Sequence, residues 1–329
     1  MTALPHHVPL AAQTRGERVE SLHYGSAVVL SGDSTTVYGD AETPFYPRSA
    51  LKPLFAVGML RAGLDLTDEQ IALAAASHSG SEEHQRVALS TLATAGLGPE
   101  HLDNSIDLPY GTAERAAWLA AGHGPTQLAQ NCSGKHSALV ALCRLHGWPV
   151  EGYLSQNHPV YRLLTDTVIE LTGETPAHIS TDGCGTPVHA LTLPALARGF
   201  ARLAAADADT PEGRVAAAMR AHPELVAGEG RDVTTVMRTL DGAVAKDGFE
   251  GIQALALADG TAVALKIADG ADRARMPITL ALLAEHPTPV AHQLDSPALT
   301  DVLAPPAFGG GQIVGRLRAL PRTARTVRH

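Results

Sequence analysis

Two strand-like stretches near opposite ends of the chain constrain its fold most. Residues 19–30 are rich in apolar and β-branched side chains, Ser31-Gly32-Asp33-Ser34 carries turn chemistry, and residues 35–38 resume strand character. Together they predict a hairpin. Far downstream, residues 252–258 and 262–267, joined by Asp259-Gly260, predict a second one. The patterns between them are mostly helical, with apolar residues at helical spacing over 49–60, 84–95, 131–146, 158–171, 193–205 and 211–222. A further helix is expected over 275–285. Strands at both ends with helices between predict an α+β fold. One antiparallel sheet is built from both chain ends, with a helical region against it.

The stretch Tyr46-Pro47-Arg48-Ser49-Ala50-Leu51-Lys52-Pro53-Leu54 opens the first helical pattern. It places a serine three residues before a lysine, a spacing that puts both on one face of a helix. A lysine that loses its proton by desolvation can take one from a neighbouring hydroxyl, so Ser49 and Lys52 are a candidate nucleophile and base. Alone, the motif equally suits a capping serine and a solvated lysine. Arg48 beside it is a candidate carboxylate clamp. Ser77-His78-Ser79-Gly80 offers a hydroxyl that could relay a proton. Lys246-Asp247-Gly248 precedes the second hairpin, where a lysine raises the local potential and a glycine admits substrate to the backbone. Lys266 is its rival. Cys132, Lys135 and His136 share a helical face, and Cys184 sits in a glycine-rich loop that could reach it. Two thiolates and a nitrogen would suit zinc, although buried free thiols explain the spacing as well. Cys143 is excluded from such a site, because eleven residues of helix separate it from Cys132 by about 16 Å.

Composition narrows the class. The 329 residues, 45% hydrophobic and 18% charged, suffice for a sizeable core in one large domain. A net charge of −9, with no basic run before the final residues, argues against nucleic acid as a partner. The basic segment 316–328 is expected to be a solvated end. No stretch approaches the about 18 apolar residues that a membrane span needs. Residues 1–13 lack the basic start and apolar core of a signal peptide, so a cytoplasmic location is expected. Three cysteines do not suggest a disulfide framework.

Taken together, Pro47-Arg48-Ser49-Ala50-Leu51-Lys52, Ser77-His78-Ser79-Gly80, Asn131-Cys132-Ser133-Gly134-Lys135-His136, Thr181-Asp182-Gly183-Cys184-Gly185 and Ala264-Leu265-Lys266-Ile267-Ala268-Asp269-Gly270 resemble the asparaginase II family, the rhizobial-type class 3 L-asparaginases. The resemblance runs from about residue 24 to 283. It implies a serine β-lactamase/glutaminase-like fold, a single catalytic domain over 1–329 with short flexible ends, and a homodimer. It also implies hydrolysis of L-asparagine to L-aspartate and ammonia. Ser49 and Lys52 match the nucleophile and its partner. Ser79 and Lys246 match a second serine–lysine pair, with Ser77 and Lys266 as alternatives. Cys132, Lys135 and Cys184 match zinc (Zn2+) ligands, and Arg48, His136 and Asp182 match residues lining the substrate site. The alternative on the same frame is a β-lactamase- or peptidase-like serine acyl hydrolase. A non-enzymatic zinc- or amino-acid-binding protein is a third reading, disfavoured because such a protein has no use for a proton relay.

Overall fold

In chain order, strands β1 (Val8–Arg15), β2 (Arg18–Ser31) and β3 (Ser34–Tyr38) come first, and a 3-10 turn, Arg48–Leu51, leads into α1 (Lys52–Arg61). Helices α2 (Asp68–Ala74), α3 (Glu82–Thr94), α4 (Thr112–Ala120), α5 (Ser133–Leu145) and α6 (Pro159–Thr172) follow, then a short hairpin of β4 (His178–Thr181) and β5 (Pro187–Ala190). Next are α7 (Leu193–Ala204), α8 (Pro211–Ala221), α9 (Pro223–Val226) and α10 (Asp232–Thr239). The chain then runs through β6 (Val244–Gly248), β7 (Ile252–Ala256), β8 (Ala262–Ile267), α11 (Arg275–Ala284), α12 (Thr300–Leu303), β9 (Pro306–Gly309), β10 (Gln312–Ala319) and β11 (Arg325–Arg328). The structure is a computed structural model that describes residues 4–320 and the backbone of 325–328. The chain divides into two compact units. The first comprises residues up to Ala50, Leu191–Ala205 and Thr235 onward; the second comprises Leu51–Ala190 and Ala206–Thr234.

The first unit is the antiparallel sheet expected from the two chain ends. Among the described residues it has nine strands, in the order β6-β7-β8-β2-β1-β10-β9, with β3 also on β2 and β11 on β3. The predicted hairpins are both present. Asp259 closes the β7–β8 turn by accepting the Thr261 N–H at 2.9 Å, and Gly260 takes a φ of 86° there. Every side chain of β7 is buried. Successive strand residues point to opposite faces, so both faces are covered; α7 and α11 pack on β7 and β8. The sheet is wider than the sequence predicts. Val8–Arg15 pairs with β2 and β10, and Ala11 lies opposite Ala319. Arg316, Leu317 and Arg318 therefore belong to a strand, with Arg318 exposed on it, and residues 321–324 of that basic segment lie outside the described residues.

The second unit is helical, apart from the β4–β5 hairpin. α1 is buried on all sides from Lys52 to Leu60. It packs on α6 and α8. A Cβ at Gly58 would stand 2.7 Å from Thr167 Oγ1, so glycine is what lets α1 approach α6. Sequence-encoded caps set the helix starts. Thr67 with Gln70 forms a capping box on α2, as does Ser81 with His84 on α3. Pro159 occupies the first turn of α6 and Gly173, at φ 68°, ends it.

Candidate active site

The residues singled out by sequence fall into two groups, one in each unit. In the second unit the centre is Lys52, whose side chain is 1% exposed. Its Nζ donates to Ala76 O at 2.6 Å, to Ser77 Oγ at 3.0 Å and to Cys132 Sγ at 3.1 Å. Ser77, the alternative to Ser79, is thus the serine bonded to this lysine. Lys52 is the first residue of α1, and Ser49 lies in the preceding 3-10 turn. The i, i+3 spacing thus spans a 3-10 turn and the first residue of the α-helix rather than one α-helical turn. Pro47 and Pro53 flank the turn, and Pro53 tolerates only the first turn of an α-helix, so the α-helix starts late.

Residues 77–79 run extended after α2. Ser77 N donates to Val226 O, His78 N to Asn131 O and Ser79 N to Ala227 O. His78 Nε2 meets Ser133 Oγ at 2.9 Å, and Arg231 Nη1 binds Ser77 O at 2.5 Å. Ser79 is fully enclosed: a Cβ on Gly228 would stand 2.1 Å from its Oγ, and Gly228 has φ 144°. Only glycine fits there. Gly228 and Arg231 are not legible in the sequence as site residues. A glycine within Gly228-Glu229-Gly230 was the only local signal, and Arg231 had none.

The third element is α5. Cys132 sits at its N-cap position, with no side-chain capping bond, and Lys135 and His136 lie in its first turn. Lys135 Nζ donates to Cys184 Sγ at 3.2 Å and to Thr186 Oγ1 at 2.8 Å. All four of Cys132, Lys135, His136 and Cys184 are buried, and the cysteines are free thiols. The cysteine pair shares its proton unequally. The bond from Cys132 lowers Cys184, helped by the Lys135 charge, and the same bond together with burial raises Cys132. Burial opposes the charge on Lys135, but Cys184 and Cys132 outweigh it and hold its pKa above the ordinary value. His136 is pushed down to about 4, by burial first and then by Lys135. Its Nδ1 meets Tyr153 Oη at 2.7 Å. Asp182, on the loop carrying Cys184, is half-buried and accepts the Gly183 N–H at 2.7 Å.

Two sulfurs and one amine converge, a donor set that suits a thiophilic ion such as zinc. Among the described residues no group of three or more His, Cys, Asp or Glu side chains gathers around a metal position. An ion here would therefore depend on Lys135 as a neutral ligand. Its ammonium balances the sulfur pair when no ion is bound.

In the first unit, Lys246 lies on β6, at one end of the described sheet. It is completely buried and is held by the carboxylate and the carbonyl of Asp247. A Cβ on Gly248 would stand 2.4 Å from Pro47 O, so this strand abuts the turn carrying Arg48 and Ser49. Ser49 is half-buried. Arg48 has a φ of 52°, a strained conformation for a side chain of this size, and its guanidinium lies 5.6 Å above the Phe249 ring. Lys266, on β8, donates instead to Glu250 O and Ile267 O.

The family model of L-asparaginase II matches residues 11–319. The chain belongs to the L-asparaginase II family. As a member it is a hydrolase. No curated protein matches the sequence. Among solved structures, it is similar to a β-lactamase from Mycobacterium bovis, with a TM-score of 0.46 and 15% identity over 79% of this chain and 94% of that one. It is also similar to EstCE1, a hydrolase with promiscuous acyltransferase activity, with a TM-score of 0.39 and 13% identity over 83% of this chain and 92% of that one. The α+β class with an antiparallel sheet, expected from sequence, is the class observed. No helix of the described residues is long and apolar enough to cross a membrane.

Proposed function

We propose that the chain is an L-asparaginase that hydrolyses L-asparagine to L-aspartate and ammonia through a covalent serine intermediate. The observation that carries this reading is Lys52. It is a fully buried lysine three residues after Ser49, and its ammonium nitrogen is held by a carbonyl, a hydroxyl and a thiol. A surface lysine would not be built this way, and family membership supplies the amide chemistry.

On this reading Lys52, as the free amine, takes the Ser49 proton. Ser49 Oγ bonds to the side-chain amide carbon of asparagine. The carbon–nitrogen bond then breaks, and the nitrogen leaves as ammonia after receiving a proton through Ser79, with Lys246 as its partner. Water attacks the resulting β-aspartyl ester, releasing aspartate and restoring Ser49. Arg48 meets the substrate α-carboxylate, Asp182 its α-ammonium, and His136 lines the same site. Cys132, Lys135 and Cys184 would hold zinc. The ion, when bound, supplies positive charge that orients a polar substrate group.

Ammonia release from L-asparagine, with L-glutamine alongside, tests the reading in wild type and Ser49→Ala. Loss of a nucleophile should lower the rate by on the order of a thousandfold or more. A Ser49→Ala protein that keeps most of its rate overturns the mechanism.

A further inference from the structure

Lys266 is a half-buried cation that this reaction leaves unused. It sits on β8 opposite Ser26 of β2, inside the first unit. With His7, Ser26, Asp40, Phe45 and Leu193 it lines a cavity of about 400 Å3, within the ~300–1,000 Å3 range of small-molecule pockets.

The hydrogen bonds around this cavity leave donors over. Ser26 is 1% exposed, so its hydroxyl hydrogen needs an acceptor inside the protein. His7 Nδ1, at 3.0 Å, is the one acceptor it has among the described residues. Ser26 therefore donates, and the pattern assigns the proton of a neutral His7 to Nε2. Burial, and then the Lys266 charge, lower the His7 pKa and favour that neutral form. Nε2–H has no partner among the described residues. Lys266 Nζ gives two of its three N–H groups to the carbonyls of Glu250 and Ile267, at 2.8 and 2.5 Å. Asp40 is occupied by its own turn. Oδ1 accepts the N–H groups of Glu42 and Thr43, and Oδ2 accepts the Thr43 hydroxyl. It needs no cation from a ligand. The polar corner is also closely built: Gly39 has φ 70°, and a Cβ there would stand 2.7 Å from Ser26 Oγ.

The Nε2–H of His7 and the third N–H of Lys266 remain over in a chamber whose carboxylate, Asp40, is already occupied by its own turn and whose apolar wall includes Phe45 and Leu193. We propose that the cavity binds a small carboxylate with an apolar body, its oxygens on Lys266 and His7 and its body against Phe45 and Leu193. Charge-assisted hydrogen bonds supply the recognition.

Titration calorimetry of the full chain with 4-methylpentanoate tests this, with 4-methylpentan-1-ol as the uncharged control. The carboxylate should bind, the alcohol about tenfold more weakly or worse. Lys266→Met should weaken carboxylate binding about tenfold or more. Ser26→Ala, which releases the His7 tautomer, should weaken it several-fold, and it carries the test should Lys266→Met fail to fold. No binding by the wild type, or equal affinity in a folded variant, overturns the proposal. So does displacement of the carboxylate by L-asparagine, which would put the ligand in the reaction site.

Discussion

The two units bury lysine by different means. In the first, Lys246 has no exposed surface and its ammonium is matched by a full negative charge, the carboxylate of Asp247. In the second, Lys52 is bound by a carbonyl, a hydroxyl and the thiol that keeps its proton, while Lys135 is bound by Cys184 and a threonine hydroxyl. An ion pair fixes a cation, because removing its proton would strand the carboxylate. A carbonyl, a hydroxyl and a neutral thiol give Lys52 no fixed counter-charge of that kind. The contrast therefore holds between Lys246 and Lys52, whereas Lys135 faces the Cys184 sulfur, which is held well below its ordinary pKa. In the first unit Lys246 faces a carboxylate.

The largest expected effect tests the fixed cation. Asp247→Asn keeps shape and removes the charge, leaving Lys246 buried against a neutral partner. Breaking a buried pair from one side costs about 3–5 kcal/mol, which urea denaturation would read directly. A loss under about 1 kcal/mol would mean that Asp247 does not carry the charge balance, and the contrast between the units would fail.

Acid probes a second set of buried groups. The second unit buries His136 and His189 as neutral bases, both pushed down to about 4, in each case first by burial. Unfolded histidine titrates near 6.5. Between about pH 6.5 and 4 the unfolded chain binds protons that the native histidines refuse, so stability is full above that window and falls through it as pH drops. Each group contributes on the order of 3 kcal/mol by the bottom of the window. Urea midpoints measured from pH 7 to 4 should show this slope. His189→Gln should remove roughly half of the part due to the two histidines. An unchanged slope in that variant would mean that the acid sensitivity lies elsewhere.

What the sequence reveals of this arrangement follows the range of the interactions. The hairpin around Asp259-Gly260, the capping serine and threonine of α2 and α3, and the shared face of Lys135 and His136 are local and legible. The pairing of β1 with β10 is not. Val8–Arg15 alternates weakly, and its second partner lies some 300 residues away, with Ala11 opposite Ala319. Lys52 was legible as special but its partners were not. Ser77 and Cys132 reach it from 25 and 80 residues away. Ser49 was placed on an α-helical face because spacing alone cannot distinguish a 3-10 turn from the start of an α-helix. Gly228 needed the position of Ser79 before its lack of a side chain meant anything.

The smallest effect bears most directly on the comparison. Cys132 is the partner in the sulfur pair that keeps its proton, raised first by the bond with Cys184 and then by burial. It therefore meets Lys52 as a neutral thiol. Cys132→Ser keeps a neutral acceptor of similar size at that position, so it should cost only about 1 kcal/mol in urea denaturation. That is well below the Asp247→Asn loss. A cost as large as that of Asp247→Asn would show Cys132 acting as a buried thiolate counter-ion. The two units would then hold Lys52 and Lys246 in the same way, each against a full negative charge, and the contrast between them would fail.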